Sequence, residues 1–144
     1  MIKLTGITSD KQLIDLCDEF NIKLNFIGSK DLLKNHALLN GCYIINMENS
    51  YDGNGTHWVA LYISNNSCYY MDSMGVLPPL EVIDFCKNNN IYYNKSQIQG
   101  YDKEYCGEFC IHFLKCMLKT GIKYSNFSDY IRQYCPINGL GFII

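Results

Sequence analysis

Tyr105-Cys106-Gly107-Glu108-Phe109-Cys110-Ile111-His112-Phe113-Leu114-Lys115-Cys116-Met117-Leu118-Lys119 is the stretch that decides the fold. At about 100° per residue, Glu108, His112, Lys115 and Lys119 fall on one narrow helical stripe, and Cys106, Cys110, Phe113 and Met117 line the opposite side. A helix this apolar, with a single polar stripe, is expected to be mostly buried, which puts it at the centre of the fold. Cys106 falls in its first turn, on the buried face. Unpaired N–H groups and the positive end of the helix dipole favour a thiolate there. Gly107 lets other backbone approach closely. A nucleophile is expected at this place.

Upstream, His57 to Ile63 (HWVALYI) and Cys68 to Asp72 (CYYMD) read as two strands around the turn Ser64-Asn65-Asn66-Ser67. If Ser64 pairs with Ser67, then 63 faces 68, 59 faces 72 and 57 faces 74. His57 and Asp72 become diagonal neighbours on one sheet face, within reach of an imidazole and a carboxylate. A slip of one residue puts them on opposite faces.

Around these two units the chain reads as a single domain over residues 1–144. Ser9 and Gln12 form a capping box for a first helix whose apolar face is Leu13, Ile14, Leu16, Cys17 and Phe20. A short strand runs from Ile22 to Ile27, a helical turn from Ser29 through Leu33, and a buried strand from Gly41 to Met47. A polar loop follows from Glu48 to Gly55. After the hairpin come the loop Ser73–Pro79, a helix from about Leu80 to Lys87, and strand pieces at Ile91–Tyr93 and Gln97–Gln99. Ser125 or Ser128 is expected to cap a last helix that ends at Tyr134, before Pro136.

Composition narrows the function. Twelve basic against fourteen acidic residues give a net charge of −2, with no basic cluster, so nucleic acid is not an expected partner. No apolar run approaches membrane-spanning length. The eight cysteines lie mostly inside apolar runs, and Asp10 and Lys11 interrupt any signal-peptide pattern; reduced thiols are expected. Cys106, Cys110, His112 and Cys116 crowd one segment, but they point to different sides of one helix and cannot converge on zinc, so no metal is expected.

Thiolate attack on a carbonyl needs a base beside the sulfur, a group orienting that base, and donors for the oxyanion. Cys106 supplies the sulfur, His57 the imidazole and Asp72 the orienting carboxylate. Gln99, seven residues before Cys106, offers a side-chain amide to the oxyanion beside the backbone N–H of Cys106. Each residue alone has a plainer reading: a buried cysteine as a small hydrophobe, an Asp-Ser turn initiator, a strand-opening histidine. The joint pattern is far more specific than its members. His112, on the polar stripe, and His36, with no acidic neighbour in sequence, are weaker candidates.

His57-Trp58, Asp72, the Gln99-Gly100 pair and Cys106-Gly107 followed by Phe109 and Cys110 resemble the adenovirus-type maturation proteases. The same order of His, acidic residue, Gln and Cys-Gly is similar to that of the ubiquitin-like-protein-specific proteases. The resemblance spans roughly residues 55 to 114 and implies a cysteine-protease-like α+β fold, with a central buried helix on a mainly antiparallel sheet. It also implies an endopeptidase acting at Gly-containing sites of capsid or core proteins during virion maturation. Such an enzyme works as a monomer in the host-cell cytoplasm or viral factory and in the virion. By analogy His57, Asp72 and Cys106 form the triad, Gln99 serves the oxyanion, and Trp58 with Gly107 borders the substrate groove. The adenovirus enzyme is helped by a peptide and by DNA. The charge here argues against DNA, so the expectation is no cofactor beyond an activating peptide. Asp72 stands where the adenovirus enzyme has Glu. The alternatives are a processing or deconjugating protease for ubiquitin-like proteins, and an inactive protein-binding module of the same fold. Ile137-Asn138-Gly139-Leu140-Gly141 also resembles the aliphatic-x-Gly-x-Gly sites such proteases cut, although a Gly-rich terminal turn is the simpler reading.

Overall fold

A computed structural model describes residues 9–51, 57–98 and 105–143. Helix α1 (Asp10–Glu19) opens with the expected reciprocal cap: Gln12 N–H donates to the Ser9 hydroxyl, and Ser9 N–H to the Gln12 side chain. Strand β1 (Leu24–Ser29) leads into a 3-10 turn (Lys30–Asn35) and strand β2 (Gly41–Asn46). The hairpin of β3 (Trp58–Ser64) and β4 (Ser67–Met71) follows. Then come helix α2 (Leu80–Phe85), β5 (Asn90–Asn94), the central helix α3 (Cys106–Met117), α4 (Lys123–Tyr134) and β6 (Leu140–Ile143).

The six strands form one sheet in sequence order. The sheet is mixed: three of its five strand pairs are antiparallel, as expected of most of it, and β1 with β2 and β4 with β5 are parallel. In both cases a helical crossover, the 3-10 turn or α2, carries the chain back so that the next strand runs the same way. The two crossovers lie on one face, where Leu33, Val82 and Cys86 pack on Phe26, Tyr43, Ile45, Val59, Leu61 and Tyr70. Helices α1, α3 and α4 cover the other face over Cys42, Ile44, Trp58, Ala60, Tyr69 and Met71. With both faces covered, β3 is buried along six of its seven residues, which is why it reads as a continuous apolar run.

Helix α3 is as buried as its periodicity implies: Cys110, Ile111, Phe113, Leu114 and Met117 are fully buried. Each large side chain among them contributes about 1.5–3 kcal/mol. The polar stripe is exposed at His112, Lys115 and Lys119, but Glu108 at its start is buried, because the first turn of α3 lies inside the molecule. At the other end, Lys123 Nζ donates to the carbonyls of Met117 and Lys119, and Asn126 Nδ2 to Lys119, satisfying the last turn.

The hairpin register is the one worked out from sequence, with Ser64 opposite Ser67, Ile63 opposite Cys68 and Ala60 opposite Met71. Asn65 and Asn66 both adopt positive φ, 49° and 67°, as a two-residue primed turn requires. Other expectations are corrected. Residues 97–98 are not a strand. Helix α4 starts at Lys123 with Ile122 at its cap, so Ser125 and Ser128 lie inside it. The tail, read as a terminal turn, goes on into β6, which pairs with β5. Gly139 and Gly141 are packing glycines: a Cβ at Gly139 would lie 2.5 Å from that of Cys135, and one at Gly141 would strike the Tyr93 ring.

Candidate active site

Three element ends meet at one edge of the core. His57 immediately precedes β3, Asp72 immediately follows β4, and Cys106 opens α3. Because β3 and β4 are antiparallel, the start of one and the end of the other share an end of the sheet, so the hairpin delivers His57 and Asp72 together. The His57 Nε2 lies 2.7 Å from Asp72 Oδ1. The Asp72 side chain is 2% exposed and that of His57 16%, so the pair is shielded yet open on the imidazole side.

The sulfur is held by the strand as well as by its helix. The backbone N–H of Trp58 donates to Cys106 Sγ at 3.4 Å. Continuing the hairpin register, Trp58 would face Ser73, whose carbonyl instead accepts from the Ile98 N–H at 2.8 Å. Beyond Met71 the chain turns away, and the sulfur takes the place of a strand acceptor on Trp58. Trp58 is 6% exposed and packs in the helix-side core with Cys106, and its main-chain N–H is what bonds the sulfur. Gly107 is buried in the first turn of α3.

Burial by itself would lower the affinity of His57 for a proton. The hydrogen bond to Asp72 and the interaction with Cys106 outweigh it, and the imidazole is pushed up to about 9. Nε2 is taken by Asp72, and the buried Nδ1 has no hydrogen-bond partner of normal geometry among the described residues. Nδ1 is therefore the nitrogen left to face the sulfur, whose interaction with the imidazole also raises its proton affinity. The carboxylate is also fixed from its own side, since Asp72 Oδ1 accepts from the Met74 N–H at 2.8 Å.

Most other thiols are held in the protonated form by burial. All eight cysteines are free. Burial pushes Cys17 up to about 11 and Cys42 up to about 12, and raises Cys110 well above the ordinary thiol value. Such thiols are inert. His112 is exposed as a residue, with Nδ1 3.5 Å from the Tyr134 hydroxyl; the partial covering of its ring, and then Lys119, lower its proton affinity. His36 is also exposed, edge-on to Phe26. Neither joins the site. Among the described residues, no cluster of three His, Cys, Asp or Glu side chains could hold a metal ion, and no helix is long and apolar enough to cross a membrane.

Gln99 lies outside the described residues, so the oxyanion role assigned to its amide has no geometry here. The backbone N–H of Cys106 lies in the first turn of α3. Sequence reasoning missed Asn94, whose side chain bonds to the Asp72 main chain, and Asn46, buried opposite Trp58, whose Nδ2 has no hydrogen-bond partner among the described residues. An asparagine at a strand end is an ordinary feature, and nothing in the sequence marks either one. No protein-family model matches the chain, and no curated protein matches it.

Proposed function

We propose that this chain is a thiol endopeptidase with Cys106 as nucleophile, His57 as the proton carrier and Asp72 as the group that orients the imidazole. The observation that carries this is the 2.7 Å His57–Asp72 pair beside a helix-opening cysteine whose sulfur accepts the Trp58 N–H. In the first step Sγ bonds to the scissile carbonyl carbon and the thiol proton resides on His57 Nδ1. The oxyanion is proposed to gather at the N-terminus of α3, served by the Cys106 N–H and by the Gln99 amide. As the C–N bond breaks, His57 returns its proton to the leaving amine, and a thioester remains on Cys106. Water then attacks the thioester, giving up its proton to His57; the acid product leaves and the thiol is restored.

The substrate proposed is a protein cut at Gly-containing sites, and the setting proposed is capsid or core-protein processing during virion maturation. Both rest on the resemblance to adenovirus-type proteases.

The test is hydrolysis of Gly-containing peptides drawn from capsid proteins, alongside a Gly-Gly-ended ubiquitin-like probe. Turnover of the peptides, abolished in Cys106→Ala and in His57→Ala with the fold intact by circular dichroism, is the expected result. Labelling by the ubiquitin-like probe without peptide turnover would move the assignment to a deconjugase. Neither turnover nor labelling would leave an inactive binding module.

A further inference from the structure

We propose that Asn94 is a positioning residue for the candidate acid: its buried amide clamps the main chain of Asp72 where β4 ends and so aims the Asp72 carboxylate at His57. This rests on the thiol-peptidase reading above.

The parallel ladder between β4 and β5 has its last paired residues at Tyr70 and Tyr93. One residue further on, the Asn94 side chain takes over from the backbone. Its Oδ1 accepts from the Asp72 N–H at 3.0 Å, and its Nδ2 donates to the Asp72 carbonyl at 2.6 Å. The same Nδ2 donates to the Ser96 carbonyl at 3.0 Å. Because a backbone N–H can only donate, the oxygen must face it, so the orientation of the amide is fixed by its partners. Asn94 is fully buried, with acceptor and both donor hydrogens used.

Asp72 is thus held on both sides of its Cα before its side chain is considered. Its carbonyl also accepts from the Gly75 N–H at 2.8 Å, and its Oδ1 receives Met74 N–H and the imidazole. Gly75 (φ +75°) closes the turn against the segment Asn94 holds: a Cβ there would lie 2.7 Å from Gln97 N. Asn94 touches no reacting atom. Its effect reaches His57 only through the place of the carboxylate, and among the described residues Asp72 and Cys106 are the titratable groups acting on that imidazole.

Two measurements decide it: kcat and KM on a cleaved peptide, and titration of His57 by nuclear magnetic resonance of the labelled imidazole. Asn94→Ala is expected to lower kcat on the order of 10²-fold, with KM little changed. His57 should titrate below about 9, moving toward its ordinary 6.5. Adding Asn94→Ala to Asp72→Asn should cost little more, since both act through one carboxylate. A folded Asn94→Ala protein with wild-type kcat and His57 titration overturns the proposal, as does a loss that adds in full to that of Asp72→Asn. Should Asn94→Ala not fold, Asn94→Ser, which keeps a hydroxyl, is read the same way. A wild-type protein that cleaves nothing overturns the peptidase reading, whereas the His57 titration needs no substrate and still decides whether Asn94 sets the Asp72–His57 pair.

Discussion

His57 carries the pH dependence of the site. In the proposed mechanism, an imidazole held protonated up to about 9 keeps a proton for the leaving amine across the neutral range. The rate should therefore fall on the alkaline side as His57 loses that proton, with a midpoint near 9. Asp72→Asn should move this limb to lower pH and leave a residual rate, because the second-largest influence on His57 after burial is the Asp72 hydrogen bond. A pH profile of kcat/KM for both proteins checks this. Gln99→Ala should cost on the order of 10²-fold or more if its amide serves the oxyanion, and a near-normal rate would remove it from the site. At this scale the sequence was informative where chemistry is rare: a His, an acid and a helix-opening Cys-Gly form a pattern that core packing alone seldom needs. It was silent on Asn94, since a strand-ending asparagine looks the same whether it caps a turn or clamps a neighbouring strand.

At the scale of elements, the legible parts were those governed by local periodicity. The two-residue turn at Asn65 and Asn66 fixes the register of β3 and β4, and with it which face His57 and Asp72 share. Helix α3 was legible from its apolar stripe. Strand β6 was not: it is a short edge strand containing Gly141, and what makes it a strand is its pairing to β5 rather than its own propensity. The parallel pairs were hidden for a related reason, since strand direction depends on how the crossovers lie across the sheet. The turn after β4 makes the sharpest element-scale prediction. Gly75→Ala puts a side chain into left-handed backbone, costing about 1–2 kcal/mol from conformation alone. It also drives Cβ into the Gln97 backbone. Denaturant unfolding should show at least that loss, and peptide turnover should fall with it because the same turn fixes Asp72. Wild-type stability in Gly75→Ala would mean that the 72–75 turn and the 96–97 segment are not packed as described.

For the whole molecule, the raised affinity of His57 for a proton links the site to folding. The folded protein binds this proton more tightly than the unfolded chain, so the contribution is fully present below about 6.5 and is lost as pH rises through about 9. Chemical denaturation at pH 6 and pH 9.5 should show wild type losing more stability over that interval than His57→Ala does. The net charge of −2 without a basic cluster leads to a second expectation, that added duplex DNA leaves the rate unchanged. Both expectations presuppose one assembled site at the end of the sheet. The direct test is competitive alkylation by iodoacetamide near neutral pH, read cysteine by cysteine by mass spectrometry in the native wild-type protein and in His57→Ala. Cys106 should be labelled well ahead of the other seven thiols and lose that lead in His57→Ala. If Cys106 reacts no faster than the others, or keeps its lead without His57, the proposed pair does not exist.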